Sequence, residues 1–428
     1  MAQMHEIKGW CPTAYRPMAT GDGLLLRLTP KWTGLSPYQL LAIAETALEF
    51  GNGLIDLTQR ANIQIRGIAP DHYSKALSAL ITHQLIEAKE ASSLQANILI
   101  SPLSHFKKNK LNLTAHEFAA ELNSLLLKNN LTDRLPSKFL FSINDCATLS
   151  LYTIKSDILI DLKEDGKTYL ILANDYQNPI LIEQKDCLIS VIALTQRFLE
   201  LSKQDQFLFR RLHALIDKIG INAFIEPFSF KTTHAHKEFK PKKDAYLGEI
   251  NFNHDYYIGV SAPSGSWTAD KLKIFSQILI NHQSQNIRPT PWRSLLIPVH
   301  DVAQRRQLFD EMNKLNLIIS QDDPRLALIA CPGAPKCSQA YGKTDEVLER
   351  LSSYAPYISS YTEISVHISG CTKGCVKGDE TPLTITLTDQ GYNLIQNGRA
   401  DGEAIFLAQT LDELDQYINN NPKILEPL

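Results

Sequence analysis

The sequence lacks long hydrophobic runs, a charge excess and a targeting signal. No apolar run approaches the roughly 18 residues that a membrane-spanning helix needs. The 43 Lys and Arg residues nearly balance the 46 Asp and Glu residues, so broad binding to nucleic acid or membrane surfaces is not expected. The first residues read MAQMHEIKGWCPTAYRP, without the apolar stretch of a signal peptide or the pattern of a transit peptide. We therefore expect a soluble cytoplasmic protein.

Glycine-rich nucleotide motifs are also missing. No GxGxxG follows a predicted strand and no Walker A lysine is present, which argues against a resident nicotinamide or ATP domain. The 428 residues are about three times the usual domain length, which predicts two or three domains.

Cysteine is scarce and unevenly placed. An odd total of seven without a secretory signal argues against a disulfide framework. Four lie near the C-terminus in two pairs, CPGAPKC and CTKGC, which are Cys331 with Cys337 and Cys371 with Cys375. Four thiolates can hold a zinc ion or an iron–sulfur cluster. The first pair is too widely spaced for a zinc knuckle, which favours the larger cubane cluster; zinc and four unrelated thiols stay open as alternatives.

The chain resembles itself at a shift of just over half its length. A shift of 225 lays LFSINDCATLS over SVHISGCTKGC and pairs Cys146 with Cys371. A shift of 230 pairs Ser101 with Cys331, and one of 232 pairs Thr58 with Thr290. Because several matches follow in the same order, we interpret them as an internal duplication in which the second copy alone has a full cysteine set.

Hydrophobic periodicity gives a coarse secondary structure. It predicts strands at 24–28, 54–57, 63–65, 140–143, 158–162, 170–172, 364–368 and 383–387. It predicts helices at 37–50, 116–128 and 187–203, and Ser36 and Thr268 are candidate helix N-caps. A polar, basic segment at 231–246 contains His234 and His236, which could bind a metal but more simply belong to a solvated linker.

The C-x5-C and C-x3-C pairs resemble the cluster signature of the sirohaem-dependent nitrite and sulfite reductases, which are also built from a duplicated unit. Within that superfamily the chain most resembles the precorrin-3B synthases, oxygen-dependent enzymes of aerobic cobalamin synthesis. The segments that carry this likeness are CPTAYRPMATGDGLLLRL, LTQRANIQIRG, RPTPWRSLLIP and SGCTKGC.

The resemblance implies an α+β fold with four parts. Ferredoxin-like half-domains are expected at 15–90 and 245–315, and larger sirohaem-domain-like units at 95–240 and 316–428. The two half-domains would pack together as one discontinuous domain, and the second large unit would contain the cluster cysteines.

The resemblance also implies site residues. Cys331, Cys337, Cys371 and Cys375 would ligate a [4Fe–4S] cluster, and the thiolate of Cys375 would bridge to sirohaem iron in the reductases. The residues expected to line a tetrapyrrole pocket are Thr58, Arg60, Asn62, Gln64 and Arg66. Alternation places the last four on one strand face, where guanidinium groups would bind the substrate's carboxylates. Arg293 would be the counterpart of Arg60 if the repeat slips by one residue.

The implied reaction is hydroxylation of precorrin-3A with lactone formation, which uses dioxygen and an external electron donor. A non-haem iron beside the cluster is implied, with no ligands assigned; His367 is a candidate, although it also alternates as a strand residue would. No catalytic residue is assigned. The alternative is a sirohaem sulfite or nitrite reductase, for which Arg60, Arg66, Lys336 and Lys373 could bind the anion. A third possibility is an electron carrier or zinc scaffold, which leaves the arginine-bearing strand unexplained.

Overall fold

The computed structural model describes residues 11–89, 95–104, 114–145, 148–204, 209–228, 230–232, 245–252, 255–354 and 366–425. Cys146, His234 and His236 lie outside the described residues. The chain divides into two compact units. The first comprises Met1–Pro12, Lys31–Gly34 and Glu87–Ala245, and the second comprises Thr13–Pro30, Leu35–Ile86 and Tyr246–Leu428. None of the described helices has the length and apolar character needed to cross a membrane.

The elements follow one another in four stretches of chain. The first stretch contains β1 (Met18–Thr20), β2 (Gly23–Leu28), α1 (Pro37–Phe50), β3 (Leu54–Leu57), β4 (Ile63–Ile68) and α2 (Tyr73–Thr82). The second contains β5 (Ile98–Ile100), α3 (Ala115–Lys128), β6 (Phe141–Asn144), β7 (Ile158–Leu162), β8 (Lys167–Leu172), β9 (Ile180–Glu183), α4 (Cys187–Gln204), α5 (Leu212–Ile219), α6 (Ile221–Ile225) and β10 (Lys231–Thr232).

The other two stretches, like the first, belong to the second unit. The third contains β11 (Gly248–Phe252), β12 (Asp255–Ser261), β13 (Ser266–Thr268), α7 (Ala269–Asn281), β14 (Arg288–Pro289), β15 (Ser294–Val299) and α8 (Val302–Lys314). The fourth contains β16 (Leu328–Ala330), α9 (Thr344–Ser352), β17 (Val366–Ser369), β18 (Thr381–Thr388), β19 (Gly391–Gly398), β20 (Phe406–Ala408) and α10 (Leu411–Asn420).

Helix α1 begins at a capping box. Ser36 Oγ accepts from the backbone N of Gln39 at 3.2 Å, and Gln39 Oε1 accepts from the backbone N of Ser36 at 3.0 Å. This exchange satisfies two backbone donors that a helix start leaves open. Thr268 caps α7 with its side chain alone, which accepts from the backbone N of Lys271. Both predicted N-caps are confirmed.

The two smaller modules of the second unit complete each other's sheets. Strand β13 of the later module pairs antiparallel with β3 and joins Trp267 to Ile55. At the position related by a shift of 232, Leu35 of the earlier module bridges to Ile287. Side chains from both modules enter one hydrophobic core. The modules therefore form a single packed body with internal twofold repetition.

The two larger sheets share one strand order. In the first unit the order is β5-β6-β7-β8-β9-β10, with β5, β6 and β7 parallel and the following pairs antiparallel. In the second unit the order is β16-β17-β18-β19-β20, with the same alternation from parallel to antiparallel. The predicted α+β architecture of duplicated units, with half-domains and larger domains, is confirmed.

Candidate functional site

The cysteine pairs begin at the ends of neighbouring parallel strands. Cys331 directly follows β16, and Cys371 lies two residues after β17. The backbone N of Cys331 donates to the carbonyl of Ile368 at 3.0 Å, which continues the ladder one step beyond the strand. Carboxyl ends of parallel strands meet at one sheet edge, where loops commonly build sites. Both cysteine loops therefore leave the sheet from the same edge.

Backbone groups of the cysteine loops face sulfur. The backbone N of Gly370 donates to Cys331 Sγ at 3.0 Å. A Cβ added at Gly370 would lie 2.7 Å from Ala340 Cβ and 3.4 Å from Cys331 Sγ, so a side chain there would crowd the thiol. Thr344 Oγ1 donates to the carbonyl of Cys331 at 2.6 Å and braces the first loop. Glycine at 370 lets the backbone approach the sulfur directly.

The surroundings of Cys331 include two of the other grouped cysteines. Burial raises the pKa of Cys331, and the nearby charges of Cys371 and Cys337 raise it further, against hydrogen bonds from the backbones of Gly370 and Gly333 that lower it. Neighbouring thiolates destabilise one another unless cationic iron or zinc neutralises them. Cys375 lies at the other end of the second pair and is exposed. The four grouped thiols are therefore suited to bind a positively charged metal group.

The chemistry of the donor set suits a metal group bound by thiolates. None of the six described cysteines is in a disulfide. Within the described ranges, no three His, Cys, Asp or Glu side chains come close enough together to hold one metal ion. A zinc site needs four sulfurs about 2.3 Å from one centre, whereas a cubane holds its cysteines at separate corners. Four cysteines in two loops at one edge of the sheet, none of them in a disulfide, are a ligand set that an iron–sulfur cluster would fit.

The first copy has serine where the second has cysteine. The backbone N of Ser101 donates to the carbonyl of Ile143 at 2.9 Å, as Cys331 does to Ile368, so the two residues occupy equivalent ladder positions. Ser101 Oγ donates to the carbonyl of Leu149 at 3.3 Å. A serine hydroxyl satisfied by backbone is no thiolate ligand, and this agrees with one cluster site in the second copy.

His367 is fully buried in β17, and in the part of the chain that the structure describes neither ring nitrogen has a hydrogen-bond partner. Burial, with a smaller contribution from the charge of Lys377, lowers its pKa to about 4. The imidazole is therefore neutral at neutral pH and keeps one N–H donor and one acceptor. A buried polar side chain without a partner is uncommon and calls for a physical reason.

Two matching hairpin loops contain the predicted pocket residue Thr58 and its counterpart in the repeat, Thr290. In the first module the backbone N of Thr58 donates to the carbonyl of Asn62 at 2.9 Å, and Thr58 Oγ1 accepts from the backbone N of Asn62 at 3.1 Å. In the second, the same pair of contacts joins Thr290 and Ser294 at 2.9 and 3.4 Å. In each loop the threonine hydroxyl accepts a hydrogen bond from the backbone four residues later and so holds the two ends of the loop together.

The backbone of these loops fixes the repeat register. Ala61 and Arg293 both have left-handed backbones, with φ of 55° and 58°, and each donates its backbone N to the carbonyl of its loop's threonine. Arg293 thus matches Ala61, and Trp292 matches Arg60. The one-residue slip that would match Arg293 to Arg60 does not occur, because the turn demands the left-handed residue at that place.

Arg66 lies in a buried ion network. Its Nε and Nη2 reach the carboxylate oxygens of Asp22 at 3.1 and 3.2 Å, and Nη1 reaches Asp56 Oδ2 at 3.5 Å. The side chains of Arg66 and Asp22 are each only 3% exposed. Nη2 also donates to the carbonyl of Lys336 at 3.0 Å, inside the first cysteine loop. The guanidinium therefore ties β4 to that loop and has its donors directed at protein oxygens.

Arg293 extends the network from the second module. Asp56 Oδ1 accepts from Ser266 Oγ at 2.8 Å, and Arg293 Nη1 donates to the carbonyl of Ser264 at 3.0 Å. Burial lowers the pKa of Arg293, while the charge of Asp56 opposes this. Sequence reasoning did not assign Asp22, Asp56 or Ser266. Their only signals were a GDG turn and one acidic residue in an apolar strand.

The other predicted pocket residues stay near the hairpin. Gln64 lies opposite Asp56 across the sheet, and its side-chain oxygen faces Arg27 once the amide is oriented for hydrogen bonding. Asn62 is buried, whereas Thr58 and Arg60 are half-buried. Lys336 reaches Asp345 at 3.5 Å, and Lys373 is exposed. Gln64 and Arg66 lie on one face of β4, whereas Arg60 lies in the loop that precedes this strand.

The hairpin hydroxyl provides a local stability test. Thr58→Val is expected to lower the free energy of unfolding by about 1–2 kcal/mol. The reason is that the backbone N–H groups of Arg60 and Asn62 lose Thr58 Oγ1 as their acceptor. The comparison variant is Thr82→Val, whose exposed hydroxyl donates to a helical carbonyl and should matter by less than about 0.5 kcal/mol. Urea denaturation followed by tryptophan fluorescence would measure both. Equal losses of unfolding free energy in the two variants would mean that the hydrogen bonds in the Thr58 loop stabilise the fold no more than the exposed one in the helix.

Comparison with known proteins places these features in a known architecture. Residues 16–82 match the model of the nitrite/sulfite reductase ferredoxin-like half domain. A precorrin-3B synthase from a Sinorhizobium species is 25% identical over 414 residues, which cover 92% of this chain and 84% of that protein. The structure of the NirA protein of Mycobacterium tuberculosis covers 95% of this chain and 81% of its own, with a TM-score of 0.68 and 18% identity. The chain therefore has the nitrite/sulfite reductase fold, and its predicted resemblance to precorrin-3B synthase within that superfamily is confirmed.

Proposed function

We propose that this protein is an enzyme of cobalamin synthesis that converts precorrin-3A to precorrin-3B. The observation that carries the proposal is the similarity to the Sinorhizobium precorrin-3B synthase along nearly the whole chain. The reaction would insert one oxygen atom of dioxygen as a hydroxyl group on a ring carbon, with lactone formation by a side-chain carboxylate. The second oxygen atom would leave as water, with two electrons from an external donor and two protons.

The cofactor in this proposal is a [4Fe–4S] cluster held by Cys331, Cys337, Cys371 and Cys375. When bound, it would supply single electrons at a potential set by its surroundings. The approach of the Gly370 backbone to the sulfur of Cys331 supports this assignment. The expected non-haem iron remains without assigned ligands. A cytoplasmic location agrees with cysteines that form no disulfide in the described chain.

Substrate recognition would rest on the first hairpin. A tetrapyrrole of this class has several carboxylates, which a guanidinium group can bind with two parallel hydrogen bonds. Of the two arginines assigned to the pocket strand, Arg66 is committed to Asp22 and Asp56, and Arg60 is half-buried beside the closed loop. We therefore assign Arg66 to holding the strand and the first cysteine loop, and Arg60 stays among the residues proposed for substrate binding.

The second candidate is a sirohaem-dependent sulfite or nitrite reductase. It is favoured by the matched half-domain, whose name refers to those reductases. It would use the same cysteines, together with Arg60, Lys336 and Lys373 near a small anion. The two readings differ in one directly measurable property, because only the reductase would contain sirohaem.

A colour and product test separates them. Protein purified without oxygen should be brown, with a broad band at about 400 nm, and acid acetone should extract no sirohaem. Incubation with precorrin-3A and a chemical reductant, followed by oxygen, should give a product heavier by one oxygen atom. The same mixture kept anaerobic is the control and should give none. Extracted sirohaem would favour the reductase, and colourless zinc-containing protein would contradict both enzymes.

A further inference from the structure

His367 faces away from the apolar core of its sheet. Val366 and Ile368, its neighbours in β17, belong to that core, as do Leu328 and Ala330 of β16. Because side chains alternate along a strand, His367 points to the opposite face, together with its cross-strand partner Ile329. The cysteine loops leave the sheet from the carboxyl ends of these two strands. The buried imidazole therefore belongs to the strand that directly precedes the second cysteine loop, CTKGC.

Three other polar side chains on this face already have partners. Ser369 Oγ donates to the carbonyl of Cys371 at 2.7 Å. Thr384 Oγ1 donates to the carbonyl of Gly398 at 2.7 Å, and Thr386 Oγ1 to that of Ala400 at 2.9 Å. Of these side chains on this face, His367 alone has its hydrogen-bonding capacity unused. A group bound on this face would supply the partner that the described residues do not.

The second cysteine loop packs directly over the imidazole. Gly374 has a left-handed backbone, with φ of +57°, and a Cβ added there would lie 3.7 Å from His367 Cε1 and 3.2 Å from Ala400 Cβ. Gly374 is the residue between Lys373 and Cys375. A glycine at this position lets the loop backbone pack close to the ring.

The duplication supplies an internal comparison. The shift of 225 that pairs Cys146 with Cys371 also aligns Ser142 of β6 with His367 of β17. Ser142 is equally buried, but its hydroxyl meets Ser156 Oγ at 2.6 Å. The copy that lacks Cys331 thus has a satisfied serine, and the copy that has the full cysteine set has an unsatisfied histidine.

We infer that His367 donates an N–H hydrogen bond to a sulfur of the bound iron–sulfur cluster and acts as a positioning residue that raises its reduction potential. Either tautomer of the imidazole offers one donor. Reduction adds a negative charge to the cluster, and a donor aimed at sulfur stabilises that charge. The inference rests on the proposed cluster cofactor but concerns only the residue that tunes it.

A set of variants in the anaerobically purified full-length protein tests the inference. His367→Phe should lower the reduction potential measured by a redox titration followed by electron paramagnetic resonance. His367→Asn and His367→Gln place an amide N–H near Nδ1 and Nε2 respectively, and one of them should keep the wild-type potential. His300→Phe, at an exposed histidine, is the matched control and should leave the potential unchanged.

A second measurement on wild-type protein covers the case in which His367→Phe fails to fold. Pulsed electron paramagnetic resonance of the reduced cluster in protein labelled with ¹⁵N-histidine should show imidazole nitrogen coupling, which His367→Gln abolishes. A cluster without this coupling, an unchanged potential in His367→Phe, or equal losses in Phe, Asn and Gln variants would overturn the inference alone. A protein that assembles no iron–sulfur cluster would overturn the proposed function as well.

Discussion

A Cys371→Ser variant purified without oxygen is expected to lose the iron–sulfur cluster, with iron falling from about four atoms per chain to nearly none. Cys371 is near enough to Cys331 for its charge to raise the pKa of Cys331. The two residues follow neighbouring strands at one edge of the sheet. Serine removes a thiolate that a hydroxyl does not replace at neutral pH. Assays of iron and acid-labile sulfide, with the absorbance near 400 nm, would measure the loss.

The matched control for that result is Cys187→Ala. Cys187 is fully buried in the core of the first unit, and burial strongly raises its pKa, so it remains a protonated packing group. Its removal should leave the iron content at the wild-type level. If both variants retain full iron, or if both lose it, the assignment of the four ligands fails.

Replacing Arg66 with methionine is expected to lower the free energy of unfolding by about 3–5 kcal/mol. The variant leaves the Asp22 carboxylate buried without its bidentate partner, and Asp56 also loses a cationic neighbour. It further removes the hydrogen bond to the carbonyl of Lys336, so the first cysteine loop should loosen and iron incorporation should fall. Denaturation of the holoprotein and iron analysis would measure both effects.

The control and the pH dependence sharpen this prediction. Lys273→Met breaks an exposed pair with Glu45 and should change stability by less than about 1 kcal/mol. Burial raises the pKa of Asp22, but the Thr20 hydrogen bond and the charge of Arg66 lower it below its ordinary value of 3.8. The contribution of the pair is therefore complete at neutral pH and lost as pH falls through the folded-state pKa. A difference between Arg66→Met and wild type that stays constant into that acidic range would contradict the assignment.

Local signals in the sequence predicted much of the architecture. The helix at Pro37–Phe50 has the predicted bounds because its apolar spacing and its cap at Ser36 act locally. The strands at Leu54–Leu57 and Ile158–Leu162 also match. The duplication was readable because equivalent strands keep the same pattern, and the two larger sheets share one order.

The roles of individual arginines could not be read in the same way. Alternation correctly places Gln64 and Arg66 on one face of β4, yet it does not say what covers that face. The covering groups are Asp22, from a different turn, and the carbonyl of Lys336, which is 270 positions further along the chain. Arg293 was similarly ambiguous until the left-handed backbone shared with Ala61 fixed the register.

The sequence by itself determined the four grouped cysteines, their spacing, the repeated unit and the capped helices, because these depend on residue type and short-range periodicity. The tertiary structure decided which groups meet. It buried Arg66 against two aspartates and set Gly370 against the thiol of Cys331. It also left His367, beneath the second cysteine loop, with no hydrogen-bond partner among the residues that the structure describes. Such contacts join segments far apart in the chain, and only the packing of sheets and loops selects them.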